Sequence, residues 1–256
     1  MSKRIGLVLS GGGIRGIAHL GVLQYLEELD IKPSLISGTS SGALIGAFYS
    51  AGYSAAEILA IAKVEKFFSF SGLQIKNIGL FKPETFEIII KKYIPHDQME
   101  SLLIPLSISV TDLTNAKLLF FNNGSLSFAV KASCCVPVVF QPVLFNGAYL
   151  FDGGILNNFP IEPLENLCEK IIGVFVNSLV KNEHKMGYIE IMERTLQISL
   201  HNNVEKQKER CDVYIEPPEM SRFKIFDFNK MDEIYQVGYA YAQNYTTELL
   251  KLATGV

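Results

Sequence analysis

The pentapeptide Gly38-Thr39-Ser40-Ser41-Gly42 has GxSxG spacing and lies between the apolar run ending at Ser37 and the small-residue segment from Ala43 to Ala47. In a strand–turn–helix setting the central residue of this pattern is held with its hydroxyl exposed, which singles out Ser40 as a nucleophile over Ser37 and Ser41. A serine hydroxyl attacks an ester carbonyl only when a neighbouring base removes its proton. The chain has four histidines, and each sits in an ordinary setting. His96 follows a proline in a loop, His184 lies in the polar stretch LVKNEHKMG, His201 belongs to a solvated helix end, and His19 falls inside the first expected helix, facing core or site. Asp152 is the better candidate: YLFDGGILNNFP places a carboxylate at the end of an apolar strand-like run, followed by Gly153 and Gly154. Burial lifts an aspartate from its ordinary pKa of ~3.9 toward the range in which it works as a base. Asp-Gly is also a common β-turn pair, so the spacing alone leaves both readings open.

A second feature follows the first apolar run, Ile5–Leu9. Gly11, Gly13 and Gly16 have GxGxxG spacing, but a dinucleotide site needs an acidic residue at the end of the second strand, where Ser37 and Gly38 stand instead. A P-loop needs a lysine after the last glycine, and Ile17 is there. What remains is backbone chemistry: Gly11, Gly12 and Gly13 at a helix N-terminus offer free N–H groups to an anionic oxygen, and Ser41 N–H is placed to join them in an oxyanion hole. Arg15 stands in the first turn, where a cation is disfavoured by ~0.3–1 kcal/mol, so its charge is expected to serve another group.

The elements that must carry these groups are legible. Strands are expected at Ile5–Leu9, Ser34–Ser37, Leu106–Val110, Leu118–Phe121, Val138–Leu144 and Ile171–Asn177, with a shorter one at Val213–Ile215. Helices are expected from about Ile14 to Leu29 and from the elbow to Tyr49, with Gly52 as C-cap. A third begins at the Ser54/Glu57 capping box, and a fourth runs from Pro83 to Tyr93. Later helices are expected at Leu126–Ala132, Gly187–Asn203 and Asp232–Leu250. Such alternation gives a mainly parallel sheet with helices on both faces.

Length and composition set the limits. With 256 residues, 48% of them apolar, the chain can bury a large core, and residues 1–256 are read as a single domain. A net charge of −3 without a long run of one sign gives no nucleic-acid footprint. Cys134, Cys135, Cys168 and Cys211 form neither a disulfide framework nor a metal pattern and read as reduced thiols of a cytoplasmic protein. The run Ile5–Leu9 after Lys3 and Arg4 is too short for a signal peptide. No stretch approaches the ~20 apolar residues of a membrane span, so membrane contact is expected to be peripheral, at an inner face. The segment Phe67–Phe81 is aromatic and free of acids, which suits an acyl-binding lid, a membrane-contacting loop or core packing.

Four blocks in order resemble the patatin-like phospholipases, in particular their short bacterial members: GGGIRG at the glycine loop, GTSSG at the elbow, ASCCVP from Ala132 to Pro137, and DGG from Asp152 to Gly154. The tail from about residue 180 carries no comparable motif. The resemblance implies a Ser–Asp dyad without histidine, Ser40 with Asp152, and an oxyanion hole of Gly11, Gly12, Gly13, Arg15 and Ser41. Gly16, Gly38, Gly42, Gly153 and Gly154 complete its motifs. It implies a three-layer α/β/α fold, lipid or fatty-acyl esters as substrates, and neither metal nor cofactor. The ASxxxP segment is expected near the site, with Cys134 and Cys135 as packing residues. Phospholipase A, lysophospholipase or carboxylesterase activity through an acyl-enzyme is the resulting expectation. Acyl transfer or thioester hydrolysis on the same dyad, or a non-catalytic regulatory protein on the same fold, are the alternatives.

Overall fold

The computed structural model describes residues 4–65, 67, 83–137, 139–179, 187, 191, 194–195, 198, 201, 204–224 and 227–254. The strands are β1 (Ile5–Leu9), β2 (Leu35–Gly38), β3 (Leu106–Asp112), β4 (Lys117–Phe121), β5 (Val143–Phe145), β6 (Ala148–Asp152), β7 (Lys170–Val174) and β8 (Val213–Ile215). They form one sheet in the order β5-β6-β3-β2-β1-β7-β8, with β4 also on β3. The pairs β1–β2, β1–β7, β2–β3 and β7–β8 are parallel; β3–β4, β3–β6 and β5–β6 are antiparallel. The sheet is thus mainly parallel with an antiparallel end.

Alternation along β1 shows why helices flank both faces. Ile5, Leu7 and Leu9 enter the larger apolar core, whereas Val8 enters a second one with Leu35, Phe159, Ile161, Leu164, Ile171, Phe175 and Val204. Successive strand residues point to opposite faces, so two cores mean a layer on each side. The larger core is covered by α1 (Ile17–Glu28), α2 (Ser41–Ser50), α3 (Ala55–Glu65), α4 (Glu84–Tyr93), α5 (Leu126–Ser133), α6 (Met231–Ala242) and α7 (Thr246–Thr254). The backbones of α1 and α6 meet directly, since a Cβ on Gly238 would run into the Ala18 carbonyl and one on Gly21 into the Tyr235 carbonyl.

The expected boundaries hold at β1 and β8 and shift by one to three residues at most other ends. The Ser54/Glu57 box caps α3 through Ser54 N–H and hydroxyl to the Glu57 carboxylate, and Gly52 closes α2 at φ +101. Two expectations change more. In place of Val138–Leu144 the strand is β5 alone, because Pro137 and Pro142 lack the N–H that a ladder needs. In place of one helix to Leu250, α6 and α7 are separated by a short 3₁₀ turn, Gln243–Tyr245. There the Thr246 hydroxyl takes the Gln243 carbonyl at 2.6 Å in competition with the helical ladder. The helix expected at Gly187–Asn203 lies largely outside the described residues, as does all of Phe67–Phe81 except the buried Phe67. Among the described residues no helix is long and apolar enough to cross a membrane.

The register of β3 positions the site. Ile108 pairs with Gly38 on one edge and with Phe121 of β4 on the other; Val110 pairs with Asp152 and, again on the β4 edge, with Leu119. Each strand residue has one neighbour per edge, so β2 and β6 must lie end to end along the same edge of β3. Their C-terminal residues, Gly38 and Asp152, therefore face positions only two residues apart, about 7 Å along the strand.

Candidate active site

The elbow that follows β2 is strained at one residue. Ser40 has φ 53 and ψ −120, a region that non-glycine residues seldom occupy and that costs on the order of 1–3 kcal/mol. Both flanking glycines are required by close approach: a Cβ on Gly38 would lie 2.7 Å from the Gly42 carbonyl carbon, and one on Gly42 would strike the Leu9 carbonyl. Gly42 N–H donates to the Thr39 carbonyl at 2.8 Å, closing the turn. Ser40 lies at the turn between β2 and α2 and is 8% exposed.

Asp152 arrives at the same place from the far end of β6. Its N–H donates to the Cys135 carbonyl at 2.9 Å, and its Oδ1 accepts from Gly154 N–H at 2.8 Å. Gly153 packs on Ser109 so closely that a Cβ would collide with it. Burial pushes the Asp152 carboxyl from an ordinary 3.8 up to about 6, against two opposing hydrogen bonds, one with the Ser40 side chain and one from Gly154 N–H. A carboxylate with a pKa near 6 is a far better proton acceptor than one near 4 and is still ionised at neutral pH. Burial also pushes the neighbouring thiols up, Cys135 to about 12 and Cys134 well above its usual range, so both stay protonated and inert.

The glycine loop divides the expected oxyanion donors into two groups. Gly11 N–H is already given to the Asn158 carbonyl at 3.3 Å. Arg15 N–H goes to the Gly12 carbonyl at 3.2 Å, and its buried Nε donates to the Phe223 carbonyl at 2.8 Å. The Gly11 N–H and the Arg15 N–H and Nε are thus engaged within the fold, the Nε at the carbonyl that follows the short helix Pro218–Arg222. The N–H groups of Gly12, Gly13 and Ser41 have no partner among the described residues. Gly13 adopts φ 58, a left-handed conformation that glycine takes without strain. Gly16 packs on Ser41, where a Cβ would lie 2.5 Å from its hydroxyl.

Sequence reasoning missed two residues that brace this loop. Asn177 Nδ2 donates to the Gly11 carbonyl at 2.5 Å, and Asn158 Nδ2 reaches the same oxygen at 3.4 Å. Both are buried, and buried amides must find partners, so the pair Asn157-Asn158 close after an Asp-Gly-Gly run was the available signal for one of them.

The described histidines stand apart from the Ser40–Asp152 pair. His19 is fully buried, its Nε2–H donates to the Ser10 carbonyl at 2.8 Å, and burial pushes its pKa down to about 4. It is a neutral brace for the loop. His96 accepts from Gln98 N–H at 3.4 Å, and His201 packs on the Phe175 ring with Glu216 at 3.7 Å. His184 lies outside the described residues.

A family model described as Patatin-like phospholipase matches residues 7–165. The chain is 30% identical over 278 residues to Lysophospholipase NTE1 of Candida albicans, covering 95% of this chain and 20% of that one. It is 28% identical over 283 residues to Lysophospholipase nte1 of Emericella nidulans, covering 96% and 18%. The chain thus spans about a fifth of the length of these curated relatives. Among solved structures, VipD from Legionella pneumophila superposes with a TM-score of 0.54 at 16% identity, covering 98% of this chain and 67% of that one. The ExoU–SpcU complex of Pseudomonas aeruginosa gives 0.52 at 16% identity, covering 97% and 52%. At that identity the likeness concerns the fold alone.

Proposed function

The chain belongs to the patatin-like phospholipase family, and from that premise we propose that it is a serine lipid acyl hydrolase working through a Ser40–Asp152 dyad, with lysophospholipids among its substrates. The substrate class comes from the relatives, which carry the name lysophospholipase. The observation that carries the chemistry is the strained Ser40 set against a buried Asp152 whose pKa is pushed to about 6. We read residues 1–256 as one catalytic domain that meets lipid at a membrane surface peripherally, on the cytoplasmic side, where the four free cysteines stay reduced.

In this reading Asp152 takes the proton from Ser40 as its oxygen bonds to the ester carbonyl carbon. The carbonyl oxygen becomes the oxyanion and is met by the N–H groups of Gly12, Gly13 and Ser41, which are free to serve it. The tetrahedral intermediate collapses, the carbon–oxygen bond to the leaving alcohol breaks, and protonated Asp152 returns its proton to that oxygen. A water molecule then gives its proton to Asp152 and attacks the acyl-enzyme, and the fatty acid leaves as Ser40 recovers its hydrogen.

A fluorophosphonate probe tests the assignment. Intact protein should gain one phosphonyl group, found by peptide mass spectrometry on Ser40, and Ser40→Ala should lose both labelling and hydrolysis of a lysophospholipid while staying folded. Labelling at Ser37 or Ser41, or hydrolysis surviving in Ser40→Ala, would refute it.

A further inference from the structure

The register of the antiparallel end sets three large apolar side chains in a row. Val110 faces Asp152 and Asp112 faces Leu150, and the ladder runs one step further, where Leu113 N–H donates to the Tyr149 carbonyl at 2.9 Å. Tyr149 in turn faces Leu144 on β5. Side chains alternate along each strand, so with Leu150 and Val143 in the larger core, Leu113, Tyr149 and Leu144 share the opposite face. They are 52%, 52% and 65% exposed. A lone exposed leucine needs no explanation, but three such neighbours in ladder register form a patch.

The patch stands on a stiff projection beside the site. From Leu150, which faces the last residue of β3, the hairpin runs on for about 10 Å to its turn at Asn146-Gly147. It does so at the end of the sheet where β2 gives way to the Ser40 elbow. Phe145 packs its ring on those of Phe128 and Phe121 at 5.1 and 5.9 Å, and Tyr149 N–H donates to the Thr114 hydroxyl at 3.0 Å.

The charges around the patch have one sign. Residues 113–151 contain no aspartate or glutamate, although the chain has 26 acidic residues, and their cations are Lys117 and Lys131. Lys131 is paired with Glu87. Lys117 is exposed and makes no ion pair among the described residues; Asp112, which faces it on β3, is buried and accepts from Asn115 N–H and Nδ2 at 2.9 and 2.8 Å. An apolar, acid-free surface with a lysine beside it suits a layer of phosphates over hydrocarbon, where a carboxylate would be repelled and desolvated. A tyrosine between two leucines likewise pairs an interfacial anchor with groups that enter hydrocarbon.

We propose that Leu113, Tyr149 and Leu144, with Lys117 beside them, are the surface by which the chain docks on a phospholipid bilayer, bringing the Ser40 end of the sheet to the lipid. The inference rests on the lipid-hydrolase reading for its purpose and goes beyond it in naming the contact.

The test is co-sedimentation with vesicles of phosphatidylcholine and phosphatidylserine, in a Ser40→Ala background so that lipid is not consumed. The double variant Leu144→Thr/Tyr149→Thr keeps β-favouring residues at both positions and should weaken vesicle binding by about tenfold or more. Leu103→Thr removes a leucine that is 77% exposed just before the other end of β3, and it should leave binding within about twofold of the parent. Lys117→Gln should weaken binding by about fivefold, an effect that high salt removes. Equal binding by parent and double variant, or a loss as large in Leu103→Thr, overturns the proposal. So does a parent that binds no vesicles, including one that instead forms a dimer lost in the double variant, which would assign the row to a second copy of the chain. Should the double variant fail to fold, Leu113→Thr decides by the same comparison. Hydrolysis is read separately: if protein with Ser40 intact turns over neither a lysophospholipid nor a soluble ester, the hydrolase reading falls, and vesicle binding still supports or overturns the docking surface.

Discussion

Gly38 and Asp152 face Ile108 and Val110 on one edge of β3, so a parallel strand and an antiparallel strand meet there end to end. Two residues beyond Gly38 the chain is at Ser40, and the sheet has already delivered the carboxylate beside it. The pairing of Ser40 with Asp152, the proposed nucleophile and base, is therefore a consequence of register. A slip of β6 by one residue would turn Asp152 to the other face of the sheet.

Stability should record the burial of Asp152. Its folded pKa of about 6 lies above its ordinary 3.8, so the folded state binds the extra proton and loses stability as pH rises through that window. Asp152→Asn should therefore raise the free energy of unfolding at pH 8 by up to about 3 kcal/mol, and the urea midpoint with it. The advantage should shrink between pH 6 and 4 and vanish below. Urea titrations across that range check it, and equal midpoints at pH 8 would contradict the burial argument.

His19 should act in the opposite sense. Burial holds its folded pKa at about 4, below its ordinary 6.5, so stability present above pH 6.5 is lost as pH falls toward 4. His19→Gln keeps an N–H for the Ser10 carbonyl but does not titrate. The wild-type protein should lose about 3 kcal/mol across that window by this route, and the variant should be spared that loss. Parallel acid-unfolding curves for the two proteins would be inconsistent with this.

Arg15 should prove structural. Its Nε is bound to the Phe223 carbonyl inside the fold, so Arg15→Ala should cost about 1–3 kcal/mol of stability while fluorophosphonate capture of Ser40 in the folded fraction changes little. A stable variant with a collapsed kcat would return the guanidinium to the oxyanion.

The contact of α1 with α6 leaves no room for a methyl group. Gly238→Ala should drive a Cβ into the Ala18 carbonyl and lower thermal stability by at least about 2 kcal/mol, more than the ~1 kcal/mol that the helix propensity of alanine returns. An unchanged melting temperature would show that the two helices can part at little cost.

Much of this was legible before the structure. β1 and β8 follow from continuous apolar runs, α3 from its capping box, and the elbow from two glycines bracketing a serine between a strand and a helix. Asp152 was legible because a charge at the end of an apolar run needs a reason. The bracing role of Asn177 was not, since it depends on a partner far away in the chain. The bond of Arg15 Nε to the Phe223 carbonyl was not legible either, because its position in the first turn shows that its charge is used but not by whom, and Phe223 is 208 residues away.

The dyad itself is tested most directly by the pH dependence of kcat/KM on a soluble ester for the wild type, Asp152→Asn, and glutamine variants of His19, His96, His184 and His201. The wild type should show an acid limb near pH 6, set by the Asp152 carboxyl, and that limb should persist in all four histidine variants. Asp152→Asn should lower kcat by about 10²–10⁴ in a folded protein. A histidine variant that folds and binds substrate yet has no turnover, alongside an active Asp152→Asn, would contradict the dyad and put a histidine in its place.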